Sequence, residues 1–249
     1  ARRVFYNNFT PSNKLTSSAI LDGFTITEGY LGNGAGMYNA NASPTLRNLI
    51  FEKNNTTGNG GAMYNAASNP FIVNCQFFEN KANYGGAVSN ASISIPSIVN
   101  CLFVENTANI GGGAIYANNA SSYNLINSTV YNNLAPTGGG LNHSGNTTHP
   151  IVKNSIIYGN GAQVVNSNSA TTIVDYSLIE GGYSGINNLS EDPSFENVND
   201  NNFNLSLGSP AINSASLEAI PDSILLDLNG NSRIAQGQID MGAFENKGF

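Results

Sequence analysis

Glu79 and Glu105 are the first residues of this 249-residue chain that could do chemistry, since they stand 26 positions apart and each precedes an asparagine. Hydrolysis of a glycosidic bond needs two carboxylates about 5–9.5 Å apart across the bond. Two acids stacked one repeat apart would raise each other's pKa. They are the candidate catalytic pair, and a row of exposed, solubilising charges is the competing reading. His143 and His149 are the two histidines, and neither has a serine or cysteine placed for nucleophilic catalysis. The glycine runs at 111–113 and 138–140 lack the Lys-Ser/Thr of a phosphate loop and read as turns. Arg47, Lys53, Lys81 and Lys153, the bases that a lyase would need, do not converge on one place in the repeat.

Three further groups carry candidate sites. Tyr38, Tyr64 and Tyr116 recur at one position next to an inward apolar column, so alternation points them outward. Exposed tyrosines beside asparagine amides can hold a sugar by ring contact and hydroxyl bonding. Ser89 interrupts that series and Asn142 ends it, while His143, standing where asparagine is expected, joins it as a candidate ligand residue. Filler on a flat sheet is the alternative. Asp227, Asn229 and Asn231 place oxygens at alternating positions, as calcium loops do, but lack the distal glutamate. Calcium is therefore the one ion the pattern raises, no other cofactor is expected, and a turn is the bland reading. Cys75 and Cys101 share a position one repeat apart. Stacked strands lie about 4.8 Å apart, wider than the roughly 3.8 Å between the Cβ atoms of a disulfide; stacked thiols and a disulfide both stay open.

The element that must position all of these is a repeat. The heptads Asn48–Asn54, Asn74–Asn80, Asn100–Asn106, Asn127–Asn133 and Asn154–Asn160 each begin and end with asparagine, at steps of 26, 26, 27 and 27 residues. A fixed period of this length marks stacked supersecondary units. Phe51, Phe77, Phe103, Val130 and Ile157 share one place in it, and Leu46, Ile72, Ile98, Leu125 and Val152 another. Met37, Met63, Val88, Ile115 and Leu141 form a third apolar column, and proline recurs four residues before the leading asparagine at Pro44, Pro70, Pro96 and Pro150. Period-two alternation without any capped helical pattern predicts strands. The fold expected is all-β: a right-handed parallel β-helix of about seven coils, near 34 Å long at about 4.8 Å per coil, with an irregular C-terminal cap. Residues 1–188 are assigned to the repeats, the first coil being read as truncated with an upstream part missing, and 189–249 to the cap.

Asparagine disfavours strands, so both of its columns need a reason. In the preceding unit, Gly23 and Gly29 stand where the asparagines stand later. Glycine and asparagine share tolerance of positive φ, so both columns are read as left-handed corners. On that reading Asn100→Gly is mild and Asn100→Ala severe.

Composition narrows the partners. Nine basic against sixteen acidic residues give a net charge of −7; no basic stripe neutralises phosphates, so nucleic acid is not an expected partner. No apolar run of about 18 residues is present to cross a membrane. The low charged fraction, 10% with 27 glycines, suits turn-dense stacked strands.

Beyond residue 188 the repeat gives way to Asp192-Pro-Ser-Phe195, Leu205-Ser-Leu-Gly-Ser-Pro-Ala-Ile-Asn213, Asp227-Leu-Asn-Gly-Asn-Ser-Arg233 and Asp240-Met-Gly-Ala-Phe-Glu245. This succession resembles the C-terminal choice-of-anchor Q domain of bacterial surface β-helix proteins; Asn213 stands where that family more often has Asp. The resemblance implies a secreted, surface-attached bacterial protein. Read from the residues, Arg233, Asp240 and Glu245 form a structural ion cluster. Polygalacturonase-like enzymes carry N-x-D, D-D, G-H-G and R-x-K motifs, and none occurs here. The expectation is a non-catalytic extracellular module (adhesin, stalk or glycan-binding surface) with a glycan or cell-surface partner. A polysaccharide lyase or glycoside hydrolase, and a passenger subunit of a larger surface assembly, are the alternatives. The oligomeric state is left open.

Overall fold

Three strands of alternating apolar residues recur in each unit, and in the computed structural model they stack into three parallel sheets of seven strands each. The structure describes residues 2–221, 223–235, 237–246 and 248. Sheet A runs from Phe5–Asn8 through Met37–Ala40, Met63–Ala66, Val88–Ala91, Ile115–Ala117 and Leu141–Ser144 to Val164–Ser167. Sheet B begins at Ile20–Asp22 and ends at Ile173–Asp175; sheet C begins at Thr25–Thr27 and ends at Leu178–Ile179. The result is a parallel β-helix of about six turns, slightly fewer than the seven expected, because seven strands per sheet span six coil-to-coil steps.

The core is a set of columns. Phe51 pairs with Phe77 and Phe77 with Phe103 in strict register. Their rings stack at 5.1 and 4.5 Å, within 4° of parallel, and all three are fully buried. The Leu46–Val152 and Met37–Leu141 columns are buried as well. Cys75 and Cys101 are free, buried thiols stacked in the column that continues as Ser128 and Ser155, so the stacked reading holds over the disulfide.

The leading asparagines are left-handed corners: Asn48, Asn74, Asn100, Asn127 and Asn154 have φ between 46° and 54°, and Gly23 has 76°. The closing asparagines are not, which corrects the sequence reading. The positive φ falls one residue earlier, at Glu28, Lys53, Glu79, Glu105, Asn132 and Gly159. That residue turns outward, and the asparagine after it turns in. Asn54, Asn80, Asn106 and Asn133 each donate Nδ2 to the next coil's Oδ1 at 2.8–2.9 Å, ending on Asn160. Each also donates to a backbone carbonyl of the coil before, as Asn106 does to Phe77 O at 2.9 Å. Gly29 belongs in this column for want of space: a Cβ there would lie 2.1 Å from the Ala35 carbonyl oxygen.

Residues after Leu189 run back along the flank instead of across the end of the solenoid. A hairpin of Phe195–Asn197 and Asn202–Leu205 packs Phe195 and Phe203 on Tyr131. Leu102, Val104 and Ile156 on the outer face of sheet C, and Val99 on that of sheet B, are thereby buried. The end of the solenoid is closed by the shorter segment before it, where Leu189 bridges Leu178 and Asn188 Oδ1 accepts from Ser177 N at 3.0 Å. Among the described residues no helix is long and apolar enough to cross a membrane.

Truncating the middle ring, Phe77→Ala, is expected to cost about 3–5 kcal/mol. Asn106→Ala should cost as much or more, since it strands the Asn80 donors and the Phe77 carbonyl at about 1–3 kcal/mol per buried group. Urea unfolding followed by circular dichroism measures both; a loss under about 1 kcal/mol in either would contradict a core held column by column.

Candidate functional site: the tyrosine face of sheet A

Alternation along sheet A sends Met37 and Asn39 inward and Tyr38 outward, and parallel register repeats that choice in the coils on either side. Tyr6, Tyr38 and Tyr64 form a row with ring centroids 5.3 and 5.7 Å apart. Arg3 lies against it, with Cζ 4.7 Å from the centroids of both Tyr6 and Tyr38, and Nε donates to Asn33 O and Gly34 O at 3.0 Å. Such a cation–ring contact stabilises by about 0.5–1 kcal/mol at an exposed site. Burial, then the neighbouring Tyr38, raises the Tyr64 pKa, so its hydroxyl keeps its proton.

The face differs from the sequence reading at its far end. Tyr116 points outward as expected but is only 7% exposed. At the rung where Ser89 breaks the series, Ser89 is buried, and Tyr84 from the flanking arm brings its ring 4.6 Å from Tyr116. Asn142 is buried and donates to Thr137 O. The accessible part of the row is therefore Tyr6, Tyr38 and Tyr64. Because Tyr38 and Tyr64 stack within 13° of parallel, their faces meet each other and their edges and hydroxyls face solvent. Recognition there would run through hydroxyls and ring edges more than through ring faces. Tyr6, Arg3 and Tyr84 went unread because Tyr6 precedes the clear repeats and the other two lie outside its strands. The Tyr6–Tyr38 register with Asn7–Asn39 was the signal available.

His143 does not join this face. It is fully buried on the inner side of sheet A, in the column of Asn39, Asn65 and Asn90. Its Nε2 lies 2.6 Å from Tyr123 Oη, and its Nδ1 lies 3.0 Å from Asn166 Oδ1 and 2.8 Å from Thr172 Oγ1. Asn166 Oδ1 can only accept, so Nδ1 carries the proton and Nε2 accepts from Tyr123. Burial lowers the imidazole pKa to about 4.

Glu79 and Glu105 occupy successive rungs of the corner after sheet C, both exposed and both at positive φ. Glu79 lies 3.9 Å from Lys53 Nζ, and Glu105 Oε1 accepts from Asn132 Nδ2 at 3.2 Å. They stand side by side along one edge and do not face each other across a cleft.

The tail gathers the remaining candidates. Arg233, fully buried, sets Nη1 3.1 Å from Glu245 Oε1 as an ion pair and donates Nη2 to Gly242 O. Turned so that its oxygen faces Arg233, the Asn127 amide accepts from Nε at 3.3 Å. Asp240 accepts from the Asn213 and Asn246 amides at 2.7 and 2.6 Å, and its N–H points to Glu245. Burial, outweighing Arg233, raises the Glu245 pKa to about 8. Asp227 Oδ1 accepts from Asn229 N and Asn231 N, and Oδ2 from Asn231 Nδ2 and Glu245 N. Asn229 Nδ2 goes to Asn204 Oδ1. These carboxylate oxygens thus face N–H donors, the arrangement of a turn. Among the described residues no group of three His, Cys, Asp or Glu is placed to hold a metal.

No protein-family model, curated protein or solved structure matches this chain.

Two buried groups set the pH dependence of stability with opposite signs. The unfolded chain protonates His143 near pH 6.5 and the fold refuses that proton until about 4, so stability is full above 6.5 and falls through this window. The loss reaches about 3 kcal/mol, at 1.36 kcal/mol per pKa unit. Glu245 has the opposite sign: its contribution is full below about 4.5 and is lost as pH rises through about 8. The two windows overlap between about 4.5 and 6.5, where the opposite slopes offset each other. Urea midpoints of the wild type should therefore be level there and fall towards pH 8, whereas Glu245→Gln should expose the His143 rise from pH 4 to 6.5 and His143→Asn the Glu245 fall from 4.5 to 8.

Proposed function

We propose that this chain is a non-catalytic extracellular module of a bacterial cell-surface protein, a β-helical stalk that binds a glycan on the outer face of sheet A. The observation that carries the reading is the row Tyr6, Tyr38 and Tyr64 on the outer face of sheet A, while the described tail residues pack on sheets B and C. Its hydroxyls form a regular polar line at coil spacing, a match for the repeating hydroxyls of an extended oligosaccharide. The exposed pair Asn109–Asn83, bonded at 2.9 Å on the arm beside it, adds amide edges. Support for a surface location comes from the resemblance of residues 192–245 to choice-of-anchor Q domains, in which the β-helix would serve to project this face from a cell. A passenger role in a larger assembly would instead give stable co-purification with a partner.

A glycan array probed with the intact chain is the direct test, followed by titration of the best ligand. Tyr64→Phe keeps the stacked ring and removes one hydroxyl, so affinity should fall about 2- to 12-fold, the equivalent of one hydrogen bond of about 0.5–1.5 kcal/mol. Tyr38→Ala with Tyr64→Ala should abolish binding while the circular dichroism spectrum is retained. Release of unsaturated products or reducing ends from a uronic-acid polysaccharide, lost in Glu105→Gln, would replace this reading with the enzymatic one.

A further inference from the structure

The corner asparagines between sheets B and C hold more than the corner. Asn154 Oδ1 accepts from Ser216 N at 2.9 Å and its Nδ2 donates to Ser216 O at 2.8 Å, so the side-chain amide pairs with a tail residue as one strand residue pairs with another. One coil down, the Asn127 amide oxygen, turned toward the tail, accepts from the Arg233 guanidinium. The next, Asn100, donates to Leu226 O at 2.7 Å. Three successive rungs of one column thus receive the protein's own tail.

The column continues past the tail. Asn74 has the same left-handed backbone, φ 52°, but its side chain bonds nothing among the described residues, and its Oδ1 is buried without a donor. Asn100 Oδ1, in a fully buried side chain, also lacks one. Beside Asn74 a groove of about 510 Å³ opens between sheet B and the tail, walled by Phe71, Val73, Leu225 and Leu226 with Arg47 and Asn48 at its mouth. Leu225 and Leu226 are 69% and 50% exposed. Arg47 is bound to Asp22 at 2.8 Å, and Asn48 Nδ2 donates to the same carboxylate at 2.7 Å, so the mouth offers no free charge to an ionic ligand.

We propose that this groove binds an extended polypeptide segment of a partner protein, with main-chain groups on the Asn74 amide and an apolar side chain between Phe71 and Leu226. A peptide is favoured because the groove continues an interface in which the same column already takes polypeptide backbone. An asparagine amide presents the donor and acceptor of a peptide group along one edge. An incoming carbonyl would accept from Asn74 Nδ2, as Leu226 O already accepts from Asn100 Nδ2. The aliphatic and aromatic walls suit a side chain better than a hydroxyl-covered sugar. This site is separate from the tyrosine face and does not depend on it.

The test is selection of a phage-displayed library of random 12-residue peptides on the intact chain, then anisotropy titration of the synthetic winners. Asn74→Gly retains the positive-φ corner and removes only the amide. It should weaken binding about tenfold, as loss of a paired hydrogen bond would, without lowering the melting temperature. Leu226→Glu should abolish binding, Tyr64→Phe should leave it unchanged, and the Asn74 side-chain amide resonances should shift on peptide addition. Recovery of no peptide sensitive to Asn74→Gly overturns the proposal, as does a neutral oligosaccharide that shifts those resonances in place of a peptide.

Discussion

The constraint on which this fold depends is the two-sidedness of a buried amide. An asparagine side chain carries a donor and an acceptor on one rigid plane, and away from water both must be met. At Asn80, Asn106 and Asn133 the coil below and the coil above meet them, and the backbone N–H of each points to the next coil's Oδ1 as well. Slip the register by one residue and every such bond is lost at once, because alternate residues face opposite sides of the sheet. The hydrophobic columns resist the same slip, since it would turn them to solvent, and the amides add a requirement of direction that apolar contacts lack. A serine column adds the same sense of direction, with Ser68 N donating to Ser94 Oγ and Ser94 N to Ser121 Oγ. All of these bonds run from one coil to its successor.

Where the pattern is broken, the break is compensated within the same coil. Sheet A carries a second inward ladder, Asn7 to Asn39 to Asn65 to Asn90, which stops at Ala117. In that coil the proline that precedes sheet B in four other coils is replaced by Tyr123, whose ring is fully buried. A small residue on one sheet is thus matched by a large one on the next, and the phenol hydroxyl carries the polar path on to His143. Both substitutions were visible in the sequence as isolated irregularities. Only the fold shows that they are one event.

That example marks what the residues reveal in advance. Columns such as Phe51, Phe77 and Phe103 are legible because period and chemistry agree at every repeat. The closing asparagines were misread because glycine serves two ends: Gly23 is there for its φ, whereas Gly29 is there because a carbonyl occupies the space of a Cβ. A sequence does not distinguish these uses. The path of the tail has no period to read, yet it left a trace. One outward column of sheet C changes from Thr27 and Glu52 in early coils to Phe78, Val104, Tyr131 and Tyr158 later, and the tail packs on these. The tyrosine row was legible in part, but its accessible stretch depends on Tyr84, which no repeat position encodes.

The tail is held by a cluster that would be costly unless closed. One buried guanidinium faces Asp227, Asp240 and Glu245, and three full negative charges around it would leave an excess that the interior cannot screen. Two of the acids are stabilised by backbone N–H groups, Asp227 by three and Asp240 by two. Glu245 has fewer such donors and is the one whose proton is retained into the neutral range. The cluster reaches the solenoid through Asn127, so the latch and the corner column are one structure. Because the latch grips the column at Asn100, Asn127 and Asn154, it covers sheets B and C over those coils. Among the described residues the latch leaves the early coils of sheet A accessible at Tyr6, and it bonds neither Asn48 nor Asn74 of the corner column. The surfaces left open for a ligand follow from where one arginine found its counter-charges.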